Sequence, residues 1–335
     1  MSVEDVLEQL NPKLRKRISM ASDAPETQYQ RTPSEGLNKA LGGGFVYGRQ
    51  VLIWGSKSSA KSSLCLQMVG LAQEEGKVCA WIDGEMSFDS AWAERLGVDS
   101  SKLIYSSART INDMVDVGTE LMGAGVDMIV VDSITSLLPA VYFDKGTTNL
   151  RDLDQTKQIG AEARDMGNAV KMLNYANNRV KPTLLVLVSQ ARTSINTTYS
   201  NQIPTGGQAT KFYSSTVVKL FSSEFDKSAI EGEITVGDKL IKQKIARKVR
   251  WELQFSKTSA GWQGGEYDFY FRGEEVGVDN VGELVDLAVQ HGVIKRAGAW
   301  YTIPGRESTV QGHASVVKLM KENETIKKRV LDELQ

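Results

Sequence analysis

The residues with the most chemistry to offer form one run, Gly55-Ser56-Lys57-Ser58-Ser59-Ala60-Lys61-Ser62-Ser63. The apolar Val51-Leu52-Ile53-Trp54 before it reads as a buried strand, and Ser62 to Glu75 after it reads as a helix. A strand, a loop, then Lys-Ser opening a helix is the setting of a phosphate-binding loop. Loop N–H groups point inward there, and the helix N-terminus adds partial positive charge. Lys61 would reach the β- and γ-phosphates, and the Ser62 hydroxyl would ligate Mg²⁺. The pattern Gly-x-x-x-x-Gly-Lys-Ser/Thr has one departure, Ala at position 60. Glycine is favoured there because the loop can demand φ > 0. A methyl is expected to strain it by roughly 1 kcal/mol or more. The competing reading is a Ser-rich turn ahead of a core helix.

Three more polar residues end apolar runs. Asp132 closes Met128-Ile129-Val130-Val131, which suits a carboxylate holding Mg²⁺ directly or through water. Glu85 lies just past Val78–Asp83, where it could orient and deprotonate a water in line with the γ-phosphate. The alternative for Glu85 is a helix N-terminal acid stabilised by the dipole. Gln190 ends Thr183–Gln190 and leads into a long polar stretch that runs to Gly207. Loops of that length in compact domains are usually functional or mobile. An amide that senses the γ-phosphate would couple nucleotide state to the order of such a loop. Lys239 to Arg250 carries six cations and no acid. It reads as a DNA-facing strip, a subunit contact or a solvated hairpin.

The elements that must position these groups alternate between amphipathic helices and continuous apolar strands. That pattern argues for an α/β fold with a mostly parallel sheet covered on both faces. Polar residues at strand C-terminal ends sit where open α/β sheets bind ligands. Beyond residue 215, Thr216–Leu220, Trp251–Phe255 and Tyr267–Phe271 read as antiparallel additions at one sheet edge. At the N-terminus, Val3, Val6, Leu7 and Leu10 make a helical stripe too short to hide itself, so it must dock on its own core or on a neighbour. Near the C-terminus, helices over Val281–His291 and Val316–Glu333 flank Trp300-Tyr301 and suggest a small separate domain. The expected division is residues 1–34 as helix and linker, 35–272 as the core, and 273–335 as the small domain.

Composition narrows the class. The 335 residues carry a formal net charge of −1, which excludes a polybasic coat and requires any nucleic-acid surface to be local. Two cysteines, Cys65 and Cys79, lie in apolar runs and are expected to be buried thiols. Two distant histidines suggest no zinc site, and no apolar run approaches ~18 residues. A soluble, cytoplasmic protein is expected.

These residues together resemble the RecA family of ATP-dependent homologous-pairing proteins, from about residue 31 to the C-terminus. The run from Gly48-Arg49 to Lys61-Ser62 is similar to the family's phosphate loop. Trp81-Ile82-Asp83-Gly84-Glu85 is similar to the segment bearing its catalytic glutamate. Asp89-Ser90-Ala91-Trp92 stands where its adenine-contacting Asp and stacking aromatic stand. Ile129-Val130-Val131-Asp132-Ser133 matches its Mg²⁺ strand, and Thr205-Gly206-Gly207 begins the close of its second DNA-binding loop. Gly282-Glu283-Leu284 and Arg296 to Tyr301 resemble its small C-terminal α/β domain.

The resemblance implies a RecA-like P-loop ATPase core and a helical filament on single-stranded DNA, pairing it with homologous double-stranded DNA. ATP with Mg²⁺ would be clamped between subunits, with Lys61, Glu85 and Gln190 in the site. Lys242 and Lys244 would come from the neighbour. DNA contacts would come from Ile159, Gly160, Arg164 and Lys171 near a first loop, and from Arg192, Gly206 and Gly207 at a second. Ala60, Trp92 in place of the usual Tyr, an insertion over Ser256–Gly265 and the lack of a strongly acidic tail depart from bacterial members. Phage-encoded relatives tolerate non-glycine at position 60, which raises the expectation of a divergent phage-encoded member acting in a host cytoplasm. Two other readings stay open: an ATP-binding DNA filament scaffold with little turnover, and a hexameric helicase-like motor.

Overall fold

The computed structural model describes residues 3–15, 18, 20–24, 26–144, 149–151, 161–193, 202–222, 229–236, 239–261, 263–273 and 275–334. In chain order, α1 (Val3–Glu8), α2 (Pro12–Arg15), β1 (Tyr29–Gln30), α3 (Glu35–Leu41) and β2 (Phe45–Val46) lead into the core. Then come β3 (Gln50–Gly55), α4 (Lys61–Glu74), β4 (Cys79–Asp83), α5 (Ser90–Arg95), β5 (Leu103–Ser107), α6 (Ile111–Gly123) and β6 (Met128–Asp132). They are followed by α7 (Ala161–Ala176), β7 (Leu184–Thr193), β8 (Gln202–Pro204), α8 (Gly207–Tyr213) and β9 (Thr216–Phe221). The antiparallel part is β10 (Ala229–Val236), β11 (Lys239–Ser256), β12 (Gln263–Tyr270) and β13 (Gly277–Val278).

The main sheet runs β13-β12-β11-β9-β3-β7-β6-β4-β5, with β10 on β11 and β8 on β7. From β9 to β5 every neighbour pair is parallel. The inner strands β3, β4 and β6 are buried on both faces, while the edge strand β5 is largely exposed; the buried residues alternate between two cores as a pleated strand requires. Val51, Ile53, Val130 and Val186 face one core, which also holds Leu64, Met68 and Val69 of α4. Leu52, Trp54, Val131 and Leu187 face the other, with Met114 of α6 and Val170 and Leu173 of α7. Cys65 and Cys79 are buried free thiols, in line with their apolar surroundings in the sequence.

Strand β9 runs against its expected direction. The pattern of Thr216–Leu220 suggests an antiparallel edge addition, yet β9 lies parallel to β3 and inside the sheet. The connection from β7 passes through the seven-residue α8, too short and polar to stand out as a crossover helix. The antiparallel character begins only at β11, which pairs β9 on one side and β12 on the other.

The C-terminal segment has its own apolar cluster, including Leu284, Val285, Ile303, Val316, Met320 and Val330. Its helices are α9 (Asn280–Gln290), α10 (His313–Glu322) and α11 (Glu324–Leu334), beside a small antiparallel sheet of β14 (Lys295–Ala297), β15 (Trp300–Thr302) and β16 (Val310–Gln311). The single helix expected over Val316–Glu333 is two, interrupted at Asn323, whose side chain accepts from the Ile326 N–H. Such local side-chain bonding favours a new helix start over continuation. At the other end α1 forms, and Val3 and Val6 of its apolar stripe are 55% and 46% exposed, so this chain's own core does not cover them.

A candidate nucleotide site at the strand ends

Register brings the strand-end residues together. Gly55 of β3 stands opposite Gln190 of β7, and Asp83 of β4 stands opposite Asp132 of β6. Gly55, Asp83 and Asp132 end their strands, and Gln190 is the last β7 residue paired to β3, on the side where α4 begins. Gly55 is required where the chain turns: a Cβ there would lie 1.7 Å from the Leu220 carbonyl oxygen of β9.

A cleft of about 320 Å³ opens at these ends. It is lined by Lys57 to Ser63, by Glu85, Asp132 and Gln190, and by Trp92, Arg247, Phe269 and Phe271. Ala60 is the N-cap of α4 and has φ 60° and ψ 26°, the left-handed backbone expected of the residue that usually is glycine. Ser58 shares it at φ 62°. Lys61 is 8% exposed, and its ammonium donates to the Ser56 carbonyl at 2.7 Å. Burial pulls the Lys61 pKa down, opposed by the charges of Asp132 and Glu85. A cation held in so little water is poised for an anion.

Asp132 is 6% exposed. Burial pushes its carboxyl up to about 6; a hydrogen bond from Ser62 opposes the rise and Glu85 adds to it. Ser62 and Asp132 therefore meet as two hard oxygen donors. That set fits Mg²⁺, which is commonly held by one or two carboxylates plus phosphate oxygens. Among the described residues no cluster of three or more His, Cys, Asp and Glu forms a self-sufficient metal cage. When bound, the ion would neutralise phosphate charge.

Glu85 is held by four neighbours, one of them the Asp132 carbonyl, which accepts from its N–H at 3.3 Å. Its N–H donates to Asp83 Oδ1 at 3.1 Å, while Ser133 Oγ and Gln190 Nε2 donate to its Oε1 at 2.6 and 2.7 Å. Asp83 also accepts from the Phe88 N–H and the Tyr105 hydroxyl, so it organises the turn after β4. Asp89 caps α5, accepting from the N–H groups of Ala91 and Trp92. The Trp92 indole donates to Ser63 Oγ at 3.4 Å and carries the Arg95 guanidinium 5.5 Å from its ring centre. Trp92 lines the cleft; Asp89 is exposed and is not among the cleft's lining residues.

Gln190 connects the cleft to the second loop. Its carbonyl accepts from the N–H and hydroxyl of Thr205 at 3.2 and 3.0 Å. Part of the stretch expected to be loop is instead a hairpin, with Ala191, Arg192 and Thr193 paired to Pro204, Ile203 and Gln202. Gly206 and Gly207 follow with φ 95° and 77° and start α8. Arg192 faces Glu162 of α7 at 3.5 Å, and Arg164 and Lys171 are exposed on that helix. Arg164, Arg192, Gly206 and Gly207 thus gather around the start of α7. Ile159 and Gly160 lie outside the described residues. Within the first loop, expected around Tyr142–Gln158, Phe143 and Leu150 form an antiparallel bridge, and residues 152–158 lie outside the described residues.

Lys242 and Lys244 do not line the cleft of their own chain; Lys242 is paired with Glu231 at 3.1 Å. Sequence reasoning missed Arg247, Phe269 and Phe271. Arg247 was visible only as one cation in a basic block. The two Phe were visible as an i, i+2 pair beside that block's partner strand.

A parallel α/β sheet with a phosphate-type loop and strand-end acids defines a P-loop protein. The chain matches the RecA N-terminal domain over residues 2–258 and the RecA C-terminal domain over residues 282–335. It is 33% identical over 307 residues to Protein RecA of Chlorobaculum parvum, covering 91% of this chain and 82% of that one. The chain belongs to the RecA family. The match begins at residue 2, well before the position near 31 where the motifs first become recognisable. Among the described residues no helix is long and apolar enough to cross a membrane.

Proposed function

We propose that this chain is an ATP-dependent homologous recombinase, which forms a helical filament on single-stranded DNA and exchanges strands with a homologous duplex. Family membership supports a RecA-like role in recombination and repair, with nucleotide and DNA binding. The observation that carries the finer reading is the Glu85–Gln190 hydrogen bond, because it ties the water-activating position to the hairpin that begins at Ala191. In this reading Lys61 and the loop N–H groups bind the polyphosphate, and Ser62 and Asp132 hold Mg²⁺. Glu85 takes the proton of the attacking water, and Gln190 reports the γ-phosphate to the DNA loops. Lys242 and Lys244 complete the site of the adjoining subunit, and the exposed α1 stripe supports docking on a neighbour. Residues 35–272 act as the motor and 273–335 as an accessory domain. The test is phosphate release with and without single-stranded DNA, together with electron microscopy of the protein on that DNA. DNA-stimulated hydrolysis on helical filaments is expected; monomers that ignore oligonucleotides under saturating Mg-ATP would end the reading.

A second reading has its own observation. Ala60 sits in left-handed backbone inside the phosphate loop. A loop that resists rearrangement would bind ATP and hold DNA with little turnover, leaving a filament scaffold. Binding without stimulated phosphate release distinguishes it.

A further inference from the structure

We propose that Arg247 is a polyphosphate ligand supplied by the same subunit, exchanging its bond to the Ser58 carbonyl for one to a phosphoryl oxygen when nucleotide binds. The proposal rests on the nucleotide reading of the cleft and adds to it a cation from a strand with no phosphate-loop motif.

Arg247 lies on β11 within the same basic block as Lys242 and Lys244, but the block does not act as one surface. The β10–β11 register goes from Ile230 opposite Ala246 to Glu231 opposite Lys244, so Ile245 is an extra residue in β11. Bulges re-aim side chains and gather next to sites. Here the Ile245 carbonyl accepts from the N–H groups of Phe271 and Arg272 at 3.0 and 3.2 Å. That folds Phe271 back beside Arg247, whose guanidinium lies 5.4 Å from the ring centre. The same guanidinium donates through Nη1 to the Ser58 carbonyl in the phosphate loop.

A guanidinium on a backbone carbonyl has a neutral acceptor. Hydrogen bonds between two charged partners are roughly twice as strong as neutral ones, and Arg matches phosphate oxygens in fork geometry. Arg247 lines the cleft with Lys61, close to the loop that receives the phosphates, so a phosphate entering the cleft offers the better acceptor nearby. Burial, which lowers the guanidinium pKa, adds to the preference for an anionic partner. Phe271 offers its ring face to the guanidinium without competing for its N–H donors.

The experiment measures Kd for ATP and for adenosine on the full-length protein without DNA, by competition against a fluorescent ATP analogue. Wild type, Arg247→Gln and Arg247→Lys are compared after thermal melts confirm folding. Arg247→Gln is expected to weaken ATP about tenfold or more and leave adenosine unchanged, since a charge-assisted bond is lost. Arg247→Lys keeps the charge without the fork and is expected to fall between. Unchanged ATP affinity in the folded variants overturns the proposal, and so does equal weakening of ATP and adenosine, which marks a structural role. Should the Gln variant not fold, the Lys variant decides by the same two criteria. Failure of the wild type itself to bind ATP would instead sink the nucleotide reading.

Discussion

Gln190 Nε2 donates to Glu85 Oε1 at 2.7 Å, joining β7 to the turn after β4 across the intervening Asp132 strand. In the proposed mechanism one side chain activates water and the other senses phosphate, so their substitutions should separate. Glu85→Gln keeps size and hydrogen bonding but cannot take a proton. It is expected to bind ATP normally and to lower hydrolysis about 10²-fold or more, the usual range for a general base. Gln190→Ala should retain basal hydrolysis within several fold and lose most of the DNA stimulation. Steady-state phosphate release with and without oligonucleotide measures both; equal loss of basal and stimulated rates in Gln190→Ala would contradict the coupling.

Ala60 bears a methyl in backbone with φ 60°. Left-handed conformation costs an L-residue roughly 1–2 kcal/mol, and glycine loses part of that gain to its unfolded-state entropy. Ala60→Gly is therefore expected to stabilise the fold by up to about 1 kcal/mol, read as a raised Tm. Turnover should rise with it, because the freed loop can follow the phosphates. A lower Tm would mean that neighbouring contacts, not the methyl, set the loop.

How far the sequence reached can be seen at these residues. That Lys61, Asp132 and Glu85 meet in one cleft was legible because each sits within a local pattern: a loop with helix, or an apolar run with a polar end. The parallel sheet was legible for the same reason. Runs such as Met128–Asp132 on β6 and Thr183–Gln190 at β7 alternate between two cores rather than between core and water. Arg247 and Phe271 were not legible as site residues, because only the bulge at Ile245 and the pairing of β11 with β12 carry them to the phosphate loop. The parallel direction of β9 was hidden for a related reason: direction belongs to the crossover, and its short helix follows a polar stretch.

Arg192 stands 3.5 Å from Glu162 and is 58% exposed at the side chain, so the pair is weakly held in water. A phosphate can replace that carboxylate at small cost. Arg192→Ala is expected to weaken single-stranded DNA binding to a similar degree for every base composition. The slope of log K against log salt should shrink by about 0.7, one phosphate contact on a single strand. Fluorescence anisotropy across a salt series measures it; an unchanged slope would remove Arg192 from the DNA surface.

Glu283 joins the C-terminal segment to the core through buried bonds. Its Oε1 accepts from Ser34 Oγ at 2.7 Å and from the Gly36 N–H at 3.2 Å, and its Oε2 accepts from the Glu35 N–H at 2.8 Å. Burial pushes the carboxyl up to about 7 from its ordinary 4.5, although all three donors pull it down. A carboxyl raised on folding contributes stability that is fully present below its unfolded pKa and is lost as pH rises through the folded one. The window is therefore about pH 4.5 to 7. Ser34 can rotate to accept the carboxyl proton at the acidic end, so protonation need not break the joint. Glu283→Gln does not titrate there, and its amide N–H₂ would face one of the three donors. The variant is expected to be less stable by about 1–3 kcal/mol at the acidic end. That deficit should narrow as pH rises from about 4.5 to about 7, because over that range only the wild type loses the stability of its protonated buried carboxyl. Thermal melts of both proteins at about pH 4 and about pH 8, either side of that window, read the difference directly, free of the titrations they share. A deficit that stays constant or widens with pH would show that Glu283 is already ionised throughout and that its hydrogen bonds outweigh its burial.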